Sequence, residues 1–203
     1  MELIMRQTNR TEFHQTAYLT RETFWNLYQS GCTEHMMLHN FRKSKAWIEQ
    51  LDRVALYEGK IVGHIISTKA KVIAKDNTAY EVLHVGPFSV DTLLQNKGIG
   101  TQLFNDSIEI ARKLGFNGMI LFGNPDYYPR FGFKNAKEYN ITTKDGLNFD
   151  PFMALELQDN GLSDVDGKFY LDESAEINDQ ELIKYEEHFP WKEKGEPKNK
   201  ISV

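Results

Sequence analysis

The chain has 203 residues, of which 40% are hydrophobic and 26% charged, a composition typical of one medium-sized soluble globular domain with a full core. The formal net charge of -5 gives no support to nucleic-acid binding, which a basic patch would indicate. The single cysteine, Cys32, excludes an internal disulfide framework and favours a reducing, cytoplasmic setting. We find no signal-peptide pattern and no apolar run of membrane length, so we expect no membrane association.

The first part of the chain predicts a short strand and two helices. Residues 3–7 have strand character, a helix follows to about Tyr28, and a second helix is expected over residues 34–45. His35 and His39 are four residues apart on this second helix, a spacing that also occurs in metal sites. Because no third ligand is evident nearby, we interpret the pair as part of a solvated helix face and predict no metal.

A meander of antiparallel strands is predicted next. Short turns at residues 58–60 and 75–78 separate strand patterns at residues 53–57, 61–73 and 80–90. Gly86 and Pro87 interrupt the last of these strands. Proline removes a donor from the hydrogen-bond ladder, so we expect a local break in strand pairing at this point.

The segment from Gln95 to Thr101 predicts a phosphate-binding turn. It follows the strand of residues 80–90 and begins an amphipathic helix that runs to Gly115, so several backbone N–H groups and the positive end of the helix dipole point beyond the helix start. The dinucleotide fingerprint is excluded, because Leu103 stands where a third glycine is needed. The nucleotide-triphosphate loop is excluded as well, because the lysine precedes its glycine.

A second motif follows a predicted strand at residues 117–122. Residues 121–133 read Leu-Phe-Gly-Asn-Pro-Asp-Tyr-Tyr-Pro-Arg-Phe-Gly-Phe. The turn at residues 95–101 fits the pattern Gln/Arg-x-x-Gly-x-Gly/Ala. Residues 121–133 fit a second pattern, in which a strand is followed by Asn and then by aromatic-Tyr-x-Lys/Arg-x-Gly-Phe. Together and in this order, the two motifs resemble the GNAT superfamily of N-acetyltransferases.

The resemblance implies an α/β fold with a mixed, mostly antiparallel sheet flanked by helices, in which two parallel strands splay apart at the cofactor cleft. Acetyl-CoA would bind in the gap between residues 81–90 and residues 117–122. It implies cofactor contacts from the main chain of the turn, from the strand end and from the asparagine of the second motif: Phe88, Ser89, Val90, Gln95, Lys97, Gly98, Ile99, Gly100, Thr101 and Asn124. Lys97 is equally well interpreted as a solvated side chain at the edge of the loop, and Pro125 departs from the commoner family pattern.

The same resemblance implies two catalytic residues. Tyr128 matches the tyrosine that family members use as general acid toward the leaving thiolate, although it would also suit a core position. His84 lies eleven residues before Gln95, where relatives carry a Glu or His that deprotonates the acceptor amine. Glu81 is the alternative base, but on a regular strand it points away from the face of His84.

The remaining chain predicts further short elements. Strands are expected at residues 134–139, 152–157 and 168–170, and a helix at residues 178–188. We expect one acetyl-CoA-binding domain over residues 1–190 and a loosely ordered tail over residues 191–203.

These expectations combine into a functional hypothesis. The chain would transfer an acetyl group from acetyl-CoA to a primary amine, with a small molecule favoured as acceptor, by direct transfer in a ternary complex without an acyl-cysteine. The alternative is a non-catalytic acyl-CoA sensor or interaction module. The resemblance allows a monomer or a homodimer.

Overall fold

The computed structural model describes residues 2–199, which form two compact units. The first contains residues 2–66, 87–104 and 173–199, and the second contains residues 67–86 and 105–172. The chain passes between them four times, within two strands, within one helix and after residue 172. The single domain expected over residues 1–190 stays a prediction.

Nine strands, four α-helices and several 3-10 turns occur among the described residues. In chain order they are β1 (Ile4–Gln7), α1 (Phe13–Phe24), α2 (Glu34–Phe41), β2 (Trp47–Tyr57), β3 (Lys60–Ala74), β4 (Ala79–Val90), α3 (Ile99–Lys113), β5 (Gly118–Phe122), β6 (Lys134–Asn135), β7 (Ile141–Thr143), β8 (Phe152–Glu156), β9 (Gly167–Tyr170) and α4 (Asp179–Glu186).

The first unit places β1, β2 and the first half of β3 side by side. β1 and β2 are antiparallel, with Ile4 opposite Leu56. Leu38 and Phe41 of α2 pack with Ile66 of β3 in a fully buried cluster, because the apolar side chains of the helix recur on the face toward the strands. Burying such a side chain contributes roughly 1.5–3 kcal/mol relative to leaving it in water.

The second unit orders its strands β9-β3-β4-β5-β8-β6, and β7 pairs with the other edge of β9. β4 and β5 are parallel, as are β7 and β9, while β5 and β8 are antiparallel. Val82, Ile120, Phe152 and Phe169 belong to its buried core. The predicted fold class, a mixed and mostly antiparallel sheet with flanking helices, is confirmed.

The parallel pairing between β4 and β5 is short. It joins Leu83 to Met119 and His84 to Ile120. Just beyond, Gly86 has a φ of +132°, outside the regular strand region, and Pro87 follows. The register therefore ends next to the Gly-Pro step where the sequence predicts a break.

Several element predictions are wrong in their extent: α2 ends at Phe41 rather than at residue 45, and β2 begins at Trp47 rather than at residue 53. α1 ends at Phe24 rather than near Tyr28, because Asn26 takes a left-handed φ of +55° and its side chain binds the Gly31 N–H at 2.7 Å. The strand expected at residues 134–139 is only Lys134–Asn135, followed by a 3-10 turn. The Asn135 side chain accepts a hydrogen bond from the Lys137 N–H at 3.0 Å and so starts that turn.

The segment after Trp191 runs along the end of α1. The Trp25 indole donates to the Glu193 carbonyl at 2.8 Å, and the Lys198 N–H donates to the Asn26 carbonyl at 2.9 Å. The loose order expected for residues 191–203 stays a prediction, and residues 200–203 lie outside the described part of the chain. Among residues 2–199, no helix combines the length and apolarity needed to cross a bilayer.

Candidate functional site

The turn before α3 leaves its main chain accessible in the first unit. Gly98 has a φ of +81°, which favours glycine, and a side-chain carbon there would meet no atom within 4 Å. The first hydrogen bond of the helix joins the Gln102 N–H to the Gly98 carbonyl, so the N–H groups of Ile99, Gly100 and Thr101 precede the helical ladder. This geometry and the helix dipole suit a diphosphate.

Packing of α3 on β3 fixes the position of this turn. Ile99 and Leu103 are buried and approach Gly63 of β3, where an added side-chain carbon would lie 3.1 Å from Leu103 Cδ2 and 3.4 Å from Ile99 Cγ2. The Gln95 amide donates to the Val90 carbonyl at 3.2 Å and closes the turn on the end of β4. Lys97 is exposed and its Nζ lies 3.5 Å from the Leu93 carbonyl.

The end of β4 carries three of the residues predicted to contact the cofactor, Phe88, Ser89 and Val90. Phe88 packs edge-on against Phe104, with ring centroids 5.3 Å apart. The buried Ser89 hydroxyl donates to Thr20 Oγ1 at 3.0 Å. The Val90 carbonyl accepts from Gln95 and also from Thr23, at 3.4 Å. Both of these bonds use the carbonyl oxygen of Val90. The main-chain groups of Phe88 and Ser89 are therefore better suited to hydrogen-bond the amides of a ligand.

Asn124 and Tyr128 lie in the second unit, directly after β5. The Asn124 side-chain carbonyl accepts from the Asp126 N–H at 2.8 Å, so its amide NH₂ is the part that remains for a ligand. The Tyr128 ring lies over Gly123. A side-chain carbon at Gly123 would collide with Tyr128 Cε2 and lie 3.0 Å from Leu121 Cδ1. Glycine at this position therefore permits the half-buried tyrosine to lie against the main chain that continues β5.

His84 is buried and Glu81 is exposed, as expected for residues on opposite faces of a strand. Burial lowers the pKa of His84 to about 4, so its imidazole is neutral near pH 7. Its ring lies 6.4 Å from that of Phe169, measured between centroids. Glu81 instead forms a surface ion pair with Lys69 at 3.0 Å.

The candidate catalytic residues are divided between the two faces of β5. His84 is the register partner of Ile120, and Phe122 lies two residues further along β5, so all three side chains share one face. Leu121 alternates with them and approaches Gly123 on the other face, where Tyr128 packs. Tyr128 and His84 are thus on opposite faces of the strand pair.

The interpretation of His35 as solvated is wrong. His35 is fully buried, because α4 covers it: its Nε2 lies 2.6 Å from Glu186 Oε1, and its Nδ1 lies 3.3 Å from the thiol of Cys32. Burial lowers the pKa of His35 to about 4 and raises that of Cys32 far above its ordinary value. Residues 2–199 contain no group of three or more side chains arranged to hold a metal ion.

A separate groove of about 630 Å³ lies in the first unit, between α1, α2 and α4. His14, His39 and His188 line it together with Lys43 and Lys184. None of the residues predicted to bind the cofactor lines this groove.

Sequence reasoning missed two residues beside the candidate site. Gly123 lies between β5 and Asn124. Its lack of a side chain was the signal in the sequence that a ring, here that of Tyr128, could pack on the main chain. Phe122 was interpreted only as the last residue of a strand, yet 43% of its surface is exposed. That exposure depends on tertiary structure and has no local signal.

The family model described as Acetyltransferase (GNAT) family matches residues 11–133. Because this match covers more than half of the chain, the protein belongs to the GNAT family, whose members are acyl-CoA-dependent acetyltransferases. The resemblance noted in the sequence is thereby confirmed.

Two relatives in Escherichia coli (strain K12) extend this result. The uncharacterized N-acetyltransferase YjhQ is 36% identical over 85 residues, which are 41% of this chain and 46% of that protein. The uncharacterized N-acetyltransferase YhbS is 24% identical over 132 residues, which are 65% of this chain and 69% of that protein. The aligned segment spans less than half of YjhQ.

Two crystal structures share the fold. Escherichia coli YhbS in complex with CoA matches with a TM-score of 0.75 at 20% identity, covering 86% of this chain and 92% of that one. A GNAT family acetyltransferase from Brucella melitensis in complex with acetyl-CoA matches with a TM-score of 0.70 at 22% identity, covering 86% and 99%.

Proposed function

We propose that this protein moves the acetyl group of acetyl-CoA to the primary amine of a small-molecule acceptor, by direct transfer in a ternary complex. The observation that carries the proposal is the start of α3, where a side-chain carbon at Gly98 would meet no atom within 4 Å and the N–H groups of Ile99, Gly100 and Thr101 precede the first helical hydrogen bond. An anion with several oxygens is the ligand that such a helix start favours.

Other groups complete the proposed cofactor site. Lys97 adds a positive charge beside the diphosphate, and Gln95 holds the turn in shape. Main-chain groups of Phe88 and Ser89, with the amide NH₂ of Asn124, would hydrogen-bond the pantetheine arm. The solved YhbS and Brucella proteins are complexes with CoA and acetyl-CoA, which supports this choice of ligand.

The proposed chemistry needs an acid and a base. The amine nitrogen attacks the thioester carbonyl carbon, a C–N bond forms, and the C–S bond breaks with its electron pair leaving on sulfur. Tyr128 gives its phenolic proton to that sulfur, and neutral His84 accepts the proton that the amine loses. The products are an N-acetylated amine and a free thiol.

A second candidate function is a non-catalytic acyl-CoA sensor. Its support is the pKa of His84, lowered to about 4 by burial, because a base this weak takes a proton from an ammonium group poorly. A cytoplasmic location is part of both proposals, since the buried, unpaired Cys32 suits a reducing compartment.

A matched pair of variants and one single variant test the proposal. Gly98→Asp should weaken acetyl-CoA binding at least about tenfold relative to Gly98→Asn, because both side chains tolerate positive φ and differ mainly in charge. Tyr128→Phe should lower kcat about 100-fold while leaving acetyl-CoA affinity unchanged. Calorimetry measures binding, and thiol release with a panel of primary amines measures turnover.

Equal affinity in the two Gly98 variants would reject the phosphate site. Tight acetyl-CoA binding without thiol release for any amine of the panel would favour the sensor. An unchanged kcat in Tyr128→Phe would leave Tyr128 as a packing residue.

A further inference from the structure

Four aromatic rings of the second unit cluster on the sheet face shared by His84 of β4 and Ile120 of β5. Phe122 and Phe152 are register partners on β5 and β8, and their rings stack with centroids 5.0 Å apart. Phe149 stacks on Phe122 at 5.9 Å, and Phe169 lies 6.2 Å from Phe122 and 6.4 Å from His84. We refer to Phe122, Phe149, Phe152 and Phe169 as the aromatic cluster.

The cluster is buried at one end and open at the other. Phe152 and Phe169 are 0% and 3% exposed, so they form ordinary core. Phe149 is half-buried and Phe122 is 43% exposed, which leaves aromatic surface in contact with solvent at the end of β5. This open end immediately precedes the segment that carries Asn124 and Tyr128.

Different functional side chains lie on the two faces of the sheet at β5. Tyr128 packs over Gly123 on one face, whereas His84, Ile120 and Phe122 share the other. A thioester whose sulfur approaches Tyr128 therefore leaves the opposite face for the attacking amine. The cluster side chains on that face are aromatic, and they lie together with the apolar Ile120 and the neutral His84.

We propose that the acceptor is an amine carried on an aromatic or extended apolar body, and that the exposed ring of Phe122 determines this specificity. The inference rests on the proposed acetyl-transfer function. Offset stacking or edge-on contact with Phe122 and Phe149 would hold an aryl group while its short alkylamine reaches the thioester.

The apolar surroundings also help the acceptor lose its proton. Contact of the acceptor with these rings displaces water from its ammonium group, which favours the neutral amine.

The test compares 2-phenylethylamine with ethylamine, which differ only in the phenyl group, through kcat/KM measured by thiol release from acetyl-CoA. One methylene in an apolar site changes kcat/KM by roughly 10–200-fold, so we expect a preference for phenylethylamine of at least about tenfold. Phe122→Ala should reduce this preference to near unity, Phe122→Leu should reduce it in part, and Phe122→Tyr should retain it.

Leu114→Ala is the matched control, because Leu114, directly after α3, is 42% exposed and lies outside the cluster. It should leave the preference unchanged. Equal kcat/KM for the two amines, or an unchanged preference in both Phe122→Ala and Phe122→Leu, would overturn the inference while acetyl transfer stands. Absence of turnover with every amine would overturn the proposed function and the inference together.

Discussion

The two compact units bury polar side chains in different ways. In the first unit, buried His64 lies 2.8 Å from the carboxylate of Asp52, which also accepts hydrogen bonds from Arg42 at 2.8 and 3.1 Å. In the second unit, buried His84 lies on the face of an aromatic core. A buried charge needs partners, whereas a buried imidazole remains neutral by giving up its proton.

The difference extends to the segment that follows Glu173. In the first unit, Glu186 of α4 accepts from the buried Arg21 at 2.8 Å and contacts His35 at 2.6 Å. Charge pairing therefore holds α4 on α1 and α2, and the strength of that attachment depends on a few hydrogen-bonded atoms. The core of the second unit combines aliphatic side chains with stacked rings, and their contribution is spread over many contacts.

Asp52→Asn should produce the largest loss of stability. Burial raises the pKa of Asp52, but the hydrogen bonds from His64 and Arg42 outweigh this effect and keep the carboxylate ionised. Its neutral replacement leaves the 4% exposed Arg42 side chain without its counter-charge, at a cost of about 3–5 kcal/mol in the free energy of unfolding.

The matched control is Glu81→Gln, which removes an exposed ion pair with Lys69 and should cost less than about 1 kcal/mol. Urea titration followed by circular dichroism measures both variants. Similar losses in the two would contradict the role given to the buried network.

His84→Gln should remove a pH-dependent loss of stability. The folded pKa of about 4 lies below the ordinary value of 6.5, so His84 contributes stability that is complete above pH 6.5 and is lost as the pH falls toward 4. This one group accounts for about 3 kcal/mol at pH 4 in the wild-type protein.

The variant should therefore lose less stability than the wild-type protein between pH 6.5 and 4. Urea titrations at several pH values measure the difference. Identical pH profiles would mean that His84 is protonated in the folded protein and that its surroundings are less apolar than described. His35→Gln is a useful comparison, because burial also lowers the pKa of His35 to about 4.

Glu186→Gln should have the smallest effect of the three. The replacement keeps an oxygen acceptor for Arg21 but removes the charge, and hydrogen bonds to charged groups contribute about 1.5–3 kcal/mol, so a loss of about 2 kcal/mol is expected. Amide hydrogen exchange should accelerate selectively in α4, Asp179–Glu186. The exposed neighbour Glu187→Gln should leave exchange unchanged, and equal exchange in both variants would contradict the attachment through Glu186.

The sequence by itself determined the family and the elements that carry its motifs. The motifs are local features: the glycines of the turn before α3, the amphipathic pattern of that helix, and the Asn and Tyr after β5. Residues close together in the sequence are sufficient to specify turns and helix starts. The parallel step from β4 to β5 was expected from the resemblance that the two motifs carry, and the structure contains it.

Only the tertiary structure decided which side chains are buried and which surfaces remain open. The sequence predicted that His35 is solvated. It is buried because Glu186, 151 positions later in the chain, packs against it. The placement of Tyr128 and Phe122 on opposite faces of β5 depends on strand register and on a ring packed over Gly123. Contacts between residues far apart in the chain leave no periodic signal, because they arise only when separate elements pack together.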